Sequence, residues 1–280
     1  MAAKGVRKAA ASRVAAKLSL DDLKKLLELA KYSHSVELKV SVPMPEHRAT
    51  IVSIGLDPVE AQLRQVFFFD TPNLDLNRAG LIVRARRRQG GGGDTVVKLR
   101  PVDPATLKAD LKRSNAIKIE VDATADGSFV CSASNKGVVT GQAVLDVASG
   151  AAPVRSLFTK GQIAFYAAHA PAGIDLDSLQ AKVPIFTLRA KHRSKEYKRG
   201  ITVEVWMWHD GTRVLEISTK CLPAEAFQVG AEFKAYLLEN GIDVDAVQDT
   251  KTRTAMQKFR AAPKARRPAR KSGKAARRRA

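Results

Sequence analysis

The sequence is poor in cysteine and has no long apolar run. Its two cysteines, Cys131 and Cys221, lie far apart, without the spacing of a metal site. They exclude a dense disulfide framework and favour a reducing, cytoplasmic setting. No stretch approaches the roughly 18 consecutive apolar residues of a membrane-spanning helix, so we expect no membrane span. The N-terminus also lacks the compact apolar segment of a secretory signal peptide.

Acidic residues are missing from both ends of the chain. Residues 1–18 carry five Lys or Arg and residues 260–280 carry ten, without one Asp or Glu in either range. Most of the net charge of +20 therefore lies at the two ends, while residues 19–259 hold 33 basic and 28 acidic residues. We expect a basic tail on each side of a single domain that spans residues 19–259.

The two basic ends have different expected roles. Residues 1–18 are rich in Ala, Lys and Arg, and we interpret them as a charged leader, with a transit peptide as the alternative. Residues 260–280 have no aromatic and no large aliphatic side chain, so we expect them to be disordered. Any nucleic acid or polyphosphate that this tail binds would be held electrostatically, with strong salt dependence.

The central stretch of the chain, residues 67–100, predicts a β-hairpin. Residues 81–88 and 95–100 alternate between apolar and charged side chains, and Gly90–Gly93 separate them. The charged face consists of Arg84, Arg86 and Arg88 on the first strand and Lys98 and Arg100 on the second. If the apolar faces stay together, an antiparallel register puts Lys98 opposite Arg84 or Arg86. Opposed like charges destabilise a sheet, so this face is either solvated or covered by a polyanion, and alternation leaves both open.

Other stretches also predict strands with one apolar and one charged face. We expect strands at residues 35–42, 117–123, 186–193, 201–208 and 214–220. We expect helices at residues 19–30, 58–66, 154–170, 224–240 and 248–259, and an irregular connection or a weak hairpin at residues 124–150. The strands would form either an open sheet with a solvated charged face or a closed barrel with its charges inside. Periodicity does not choose between them.

The central stretch carries a long, ordered series of motifs: Phe69-Asp70-Thr71-Pro72, then Arg78-Ala79-Gly80-Leu81, then Val83-Arg84-Ala85-Arg86, then Lys98. The series resembles the CYTH family, the triphosphate tunnel metalloenzymes, which are named for a class of adenylate cyclase and for thiamine triphosphatase. The resemblance implies an α+β fold, with a closed eight-stranded antiparallel β-barrel, the triphosphate tunnel, covered by helices. It also implies metal-dependent hydrolysis of inorganic tripolyphosphate, thiamine triphosphate or a nucleoside triphosphate.

The charged strand faces and the resemblance together give a candidate site. A phosphate chain needs cations along its length, and Mg²⁺ or Mn²⁺, the cofactor that the resemblance implies, needs carboxylates. The candidate catalytic residues are Lys39, Arg84, Arg86 and Lys98. The candidate phosphate-binding residues are Arg100, Arg189, Lys191, Arg193, Lys220, Lys251 and Arg253. The candidate metal ligands are Glu37, Glu204, Asp210 and Glu216.

Two positions depart from the pattern of the family. Ser35 stands where its opening Glu-x-Glu-x-Lys strand has the first Glu, and Ser218 replaces one Glu of its late Glu-x-Glu strand. These departures favour a second hypothesis, a non-catalytic tunnel protein that binds polyphosphate, nucleotide or nucleic acid. A third is an adenylate cyclase, in which the ribose hydroxyl attacks instead of water. Trp206 and Trp208 could stack on an adenine or thiazolium ring or pack in the core, and the oligomeric state is not predicted.

Overall fold

The computed structural model describes residues 20–107, 115–244 and 251–261. The two predicted tails, apart from Arg260 and Ala261, lie outside these residues. Ser19, where the sequence predicts the start of the first helix, also lies outside them. No helix in the described ranges is long and apolar enough to cross a membrane.

The described chain contains both helices and strands, as the sequence predicts. The helices are α1 (Leu20–Tyr32), α2 (His47–Ser53), α3 (Asp75–Arg78), α4 (Gly141–Ala148), α5 (Lys160–Ala167), α6 (Ala226–Glu239) and α7 (Lys251–Ala261). The strands are β1 (Ser35–Val42), β2 (Gln62–Asp70), β3 (Leu81–Arg88), β4 (Gly92–Leu99), β5 (Ile117–Thr124), β6 (Phe129–Thr140), β7 (Gln180–Ala181), β8 (Ile185–His192), β9 (Ile201–Met207) and β10 (Arg213–Cys221). Short 3₁₀ turns join several of them.

Nine strands of the described chain close into a barrel. Their hydrogen-bonded order is β3-β4-β6-β5-β1-β10-β9-β8-β2, and β2 pairs back onto β3, while the short β7 adds to β2. β1 and β5 run parallel, and the other neighbours in the ring are antiparallel. The barrel is therefore mixed and nine-stranded, which corrects the expected eight-stranded antiparallel barrel.

Strands β2 and β6 differ from what the sequence predicts. β6 lies in the stretch for which the sequence predicts an irregular connection or a weak hairpin, and it forms a hairpin with β5 that is longer than a weak one. The sequence signal is weak because the small residues of β6, among them Ser132, Ala133 and Ser134, are buried on both faces and show no alternation of apolar and charged side chains. β2 begins inside the predicted helix at residues 58–66. Asp57, which predicts the start of that helix, instead precedes a single 3₁₀ turn at Pro58–Glu60. The side chain of Asp57 caps this turn by accepting a hydrogen bond from the backbone N–H of Val59.

The hairpin between β3 and β4 is tighter than the sequence predicts. Gly90 and Gly91 form the turn with φ angles of +89° and +90°, a conformation that favours glycine. β4 consequently starts early, and the register pairs Lys98 with Ile82 and Arg86 with an acid. The prediction that Lys98 opposes an arginine is wrong.

Two apolar cores cover the outside of the barrel. Helices α1, α4 and α5 pack over the strands from β3 to β6, with Phe165 of α5 and Val83 of β3 in one cluster. Helices α2 and α6 cover β1, β9 and β10, with Phe233 of α6 and Ile217 of β10 in a second cluster. Burial of these apolar faces stabilises the barrel. Because side chains alternate along a strand, it also directs the charged faces into the lumen.

Candidate active site in the barrel lumen

The inward strand faces line a cavity of about 390 Å³. Ten basic and six acidic side chains of the described residues line it. The basic set is Lys39, Arg64, Arg84, Arg86, Arg88, Lys98, Arg100, Lys136, Arg189 and Lys220, and the acidic set is Glu37, Asp94, Glu120, Asp122, Glu204 and Glu216. The lumen therefore has an excess of positive charge, which suits a polyanion.

Helix α7 closes one end of the lumen. Its Met256 and Phe259 pack with Phe68 and Trp206, which lie on β2 and β9. The rings of Phe259 and Phe68 meet edge to face, with their centroids 5.9 Å apart. The strand directions place Lys220, whose side chain is 48% exposed, toward the opposite end. We call this opposite end the mouth.

Asp122 ties three cations together inside the lumen. Its Oδ1 lies 3.0 Å from Lys39 Nζ, and its Oδ2 lies 3.2 Å from Arg100 Nη1 and 3.6 Å from Lys98 Nζ. Burial alone would raise the pKa of Asp122, but the three cations hold that pKa well below its usual range. Burial lowers the pKa of Lys98 to about 8, because Asp122 offsets only part of the burial and two more cations lie nearby. Three candidate phosphate-binding cations thus share an internal anion.

A second network, nearer the mouth, joins Glu37, Glu120 and Lys220. Lys220 Nζ lies 2.6 Å from Glu120 Oε1 and 3.8 Å from Glu37 Oε2. The two serines that depart from the family's pattern donate hydrogen bonds to these carboxylates. Ser218 Oγ donates to Glu37 Oε1 at 3.2 Å, and Ser35 Oγ donates to Glu120 Oε1 at 3.5 Å. Each serine therefore supports a carboxylate instead of adding a negative charge.

Four arginines form one side of the lumen, which we call the arginine wall: Arg84, Arg86 and Arg88 on β3 and Arg64 on β2. Arg86 pairs with Asp94 at 2.8 Å. Nε of Arg84 and Nε of Arg88 are buried without a hydrogen-bond partner in the described part of the chain. Burial and the neighbouring Arg86 lower the pKa of Arg84 to about 10, because crowded guanidinium groups disfavour one another's charge. An anion that entered the lumen would relieve both effects.

Glu204 on β9 and Glu216 on β10 are direct cross-strand partners on the lumen face. Glu204 is engaged by Arg189 Nε at 3.1 Å and by Trp206 Nε1 at 3.2 Å, and Glu216 is buried. Within the described ranges, no group of three or more His, Cys, Asp or Glu side chains is placed to hold a metal ion. This pair therefore offers two carboxylates, and the remaining ligands of a metal would come from water and substrate.

Most of the predicted site residues line the lumen: Glu37, Lys39, Arg84, Arg86, Lys98, Arg100, Arg189, Glu204, Glu216 and Lys220. Three lie elsewhere. Lys191 and Arg193 are exposed at the end of β8. Asp210 lies in the turn between β9 and β10 and pairs with Lys258 Nζ of α7 at 2.5 Å, so it anchors the helix that closes the lumen. Lys251 and Arg253 lie on α7, but their side chains are outside the described part of the structure.

The lumen also contains charged residues that the sequence analysis does not select: Arg64, Arg88, Asp94, Glu120, Asp122 and Lys136. A signal for Asp122 exists, since Glu120 and Asp122 share the charged face of the predicted strand at residues 117–123. Arg64 has no such signal, because the sequence predicts a helix there.

Asp70, the aspartate of the Phe-Asp-Thr-Pro motif, is not a lumen residue. Its carboxylate is buried and accepts hydrogen bonds from the backbone N–H groups of Thr71, Leu76 and Asn77 at 2.7, 3.0 and 3.1 Å. Burial raises the pKa of Asp70, although these hydrogen bonds oppose the change. The motif aspartate therefore holds the turn into α3.

No protein-family model matches the chain, and no curated protein matches it in sequence. Solved structures do match. One is an adenylyl cyclase candidate from Hippeastrum, described as having a dominant triphosphatase activity, with a TM-score of 0.58 and 17% identity over 80% of this chain and 94% of that one. Another is an adenylate cyclase candidate from Bacillus halodurans, with a TM-score of 0.56 and 13% identity over 79% of this chain and 97% of that one. The chain therefore has the fold of these two proteins, in agreement with the resemblance of its sequence to the CYTH family.

Proposed function

We propose that the protein binds the phosphate chain of a triphosphate in its lumen and hydrolyses it with Mg²⁺ or Mn²⁺. The observation that carries the proposal is the buried Nε of Arg84, a cationic donor without a hydrogen-bond partner among the described residues. A buried, unpaired donor is costly, and phosphate oxygens would satisfy it. The net positive charge of the lining supports the same substrate class.

In this proposal, the lumen cations hold the phosphate chain and stabilise the charge that develops in the transition state. Arg84 and Arg86 present planar guanidinium forks that match phosphoryl oxygens. Lys39 and Lys98, which both contact Asp122, supply point charges. Phosphoryl transfer depends mainly on such positioning and electrostatic stabilisation. In this proposal water is the attacking group, in contrast to the ribose hydroxyl of the cyclase alternative.

We propose Glu204 and Glu216 as the residues that would hold the metal, without Glu37, because no three acidic side chains of the described residues are placed around one ion. Glu204 and Glu216 face each other across two strands, while Glu37 is bonded to Lys39 and Ser218. Mg²⁺ commonly binds through one or two carboxylates, several waters and the phosphates of its substrate. When bound, it would neutralise charge on the phosphoryl oxygens. We therefore expect the metal to bind tightly only together with the phosphate chain.

The non-catalytic alternative has its own support. Asp122 places a permanent anion among Lys39, Lys98 and Arg100, which weakens their hold on a transition state. The cyclase alternative has less support, because Trp208 is buried in the cluster with α7 and Trp206, although it borders the lumen, is buried in the same cluster.

A phosphate-release assay tests the proposal, with tripolyphosphate, thiamine triphosphate and ATP as substrates and with Mg²⁺, Mn²⁺ or a chelator. Arg84→Gln should lower kcat/KM roughly 10- to 100-fold, the scale of a charged hydrogen bond. Arg87→Gln is the matched control. Arg87 lies on β3 between Arg86 and Arg88, but its side chain points outward and donates a hydrogen bond to Gln65. Binding of tripolyphosphate without turnover under any metal would favour the non-catalytic alternative.

A further inference from the structure

The arginine wall extends beyond the residues that the resemblance assigns. Arg84, Arg86 and Arg88 follow one another at every second position of β3, and Arg64 on β2 is the direct cross-strand partner of Arg88. The step from Arg84 to Arg88 covers roughly 13 Å of strand. A row of this length is longer than an extended chain of three phosphates.

The outer members of the wall have no acidic partner in the described part of the chain. Arg86 is held by Asp94, whereas Arg64 donates to the neutral Gln62 Oε1 at 2.8 and 3.0 Å. Nε of Arg88 is buried without a hydrogen-bond partner among the described residues. Burial and two neighbouring cations lower the pKa of Arg64 to about 10. Two cations thus lie side by side at this cross-strand pair, and neither has an ion pair with an acid among the described residues.

The local backbone leaves room for the guanidinium group of Arg88. Gly92, at the start of β4, lies beside it, and a β-carbon at Gly92 would come within 3.0 Å of Arg88 Nη2. Because Gly92 has no side chain, the guanidinium group of Arg88 can lie against the backbone of β4. The strand direction puts Arg88 and Arg64 nearer the mouth than Arg84, because Ile82 on the same face of β3 packs with the cluster that α7 closes.

We propose that Arg64 and Arg88 form an additional phosphate subsite at the mouth, so that the lumen takes linear polyphosphates longer than three phosphates. This inference rests on the proposed function, since it extends the same cradle. A chain bound at Arg84 and Arg86 would continue past Arg88 toward solvent. Its next phosphates would accept a hydrogen bond from the unpaired Nε of Arg88 and interact electrostatically with the guanidinium group of Arg64.

The test is a calorimetric titration of the full-length protein with tripolyphosphate and with linear pentaphosphate, at one ionic strength and with a chelator present. The measured quantity is the ratio of the two dissociation constants, which cancels changes that affect both chains equally. We expect the wild type to bind pentaphosphate about tenfold more tightly. Arg88→Gln and Arg64→Gln should each remove most of this gain. Arg87→Gln, the outward-facing neighbour, should keep it.

The possible results separate a failure of the mouth subsite from a failure of the proposed function. A wild type that binds both chains equally tightly overturns the inference and leaves the proposed function intact. A wild type that binds neither chain overturns the proposed function itself. If Arg88→Gln and Arg87→Gln keep the same gain, and circular dichroism shows both folded, the extra affinity does not come from the mouth and the subsite is wrong. If Arg88→Gln fails to fold, Arg64→Gln decides, because Arg64 bonds only a neighbouring glutamine in the described structure.

Discussion

Asp122 Oδ1 lies 3.0 Å from Lys39 Nζ, so the lumen carries its own anion among the cations that we propose for a phosphate chain. The same carboxylate contacts Lys98 and Arg100. An internal anion keeps three like charges together when no substrate is present. It also competes with the substrate for them, so its removal should affect stability and affinity in opposite directions.

Asp122→Asn should therefore destabilise the fold and tighten phosphate binding. Removing one partner of a buried ionic cluster typically costs about 3–5 kcal/mol, whereas the added net positive charge should strengthen tripolyphosphate binding by about tenfold. Chemical denaturation and calorimetry measure the two effects. Asp177→Asn is the control, since Asp177 pairs with Arg155 outside the lumen, where both side chains are exposed. A variant with weaker binding would show that Asp122 helps to hold the substrate instead of competing with it.

The lowered pKa of Lys98 predicts a pH dependence. Burial depresses this pKa from 10.5 to about 8, so Lys98 loses its charge as pH rises through that value. Metal-free tripolyphosphate affinity should then fall by a factor of about ten. Lys98→Arg, which stays charged, should lack the step.

The same pKa shift makes stability rise with pH, whereas it makes phosphate affinity fall. The folded state holds fewer protons than the unfolded state between pH of about 8 and 10.5, so the contribution of Lys98 to the free energy of unfolding rises with pH across this window. Denaturation of the wild type and of Lys98→Met over that range would measure it. Parallel curves for the two proteins would contradict the depressed pKa.

Glu216→Gln should separate metal-dependent turnover from anion binding. We expect phosphate release to fall by more than the roughly 10–100-fold that follows removal of a group hydrogen-bonded to a metal ligand. Metal-free tripolyphosphate binding should persist or tighten, because one negative charge has left the lumen. Mn²⁺ binding in the presence of tripolyphosphate, followed by electron paramagnetic resonance, gives a readout besides activity.

Glu232→Gln is the control for that experiment, because Glu232 pairs with Arg199 on the outside of α6. Full Mn²⁺ binding and full turnover in Glu216→Gln would move the proposed metal site away from the pair formed by Glu204 and Glu216.

Asp70→Asn should affect stability and not the lumen. Its carboxylate accepts three backbone N–H groups at the turn into α3, and weakening them should cost about 1–3 kcal/mol. Tripolyphosphate affinity of the folded variant should match that of the wild type. A large loss of affinity without a loss of stability would assign the motif a direct role in binding.

Truncation after Ala261 tests the basic C-terminal tail. Residues 262–280 carry nine Lys or Arg and no acid, while α7, which ends at Ala261, is kept. We expect unchanged folding and tripolyphosphate turnover. Binding to duplex DNA should weaken, and the log–log salt slope should fall by roughly 0.9 for each DNA phosphate that the shortened protein no longer neutralises. Filter binding at two salt concentrations measures this, and equal slopes for the two proteins would remove the tail from the binding surface.

The sequence by itself determined which strands have a charged face. Alternation at β1, β3, β8, β9 and β10 is a local property of a pleated strand, and each of these strands is present in the structure. The motifs from Phe69 to Lys98 also pointed to the fold that the solved structures share. Ten candidate site residues follow from these two signals and line the lumen.

Only the tertiary structure decided the number of strands in the barrel, the parallel pairing of β1 with β5, and the neighbours of each charge. These depend on contacts between strands far apart in the chain, which a local period does not report. The sequence signal for β6 was weak because its small residues are buried on both faces. The cluster around Asp122 joins side chains from β1, β4 and β5, and Arg64 meets Arg88 only because β2 is a strand that pairs with β3.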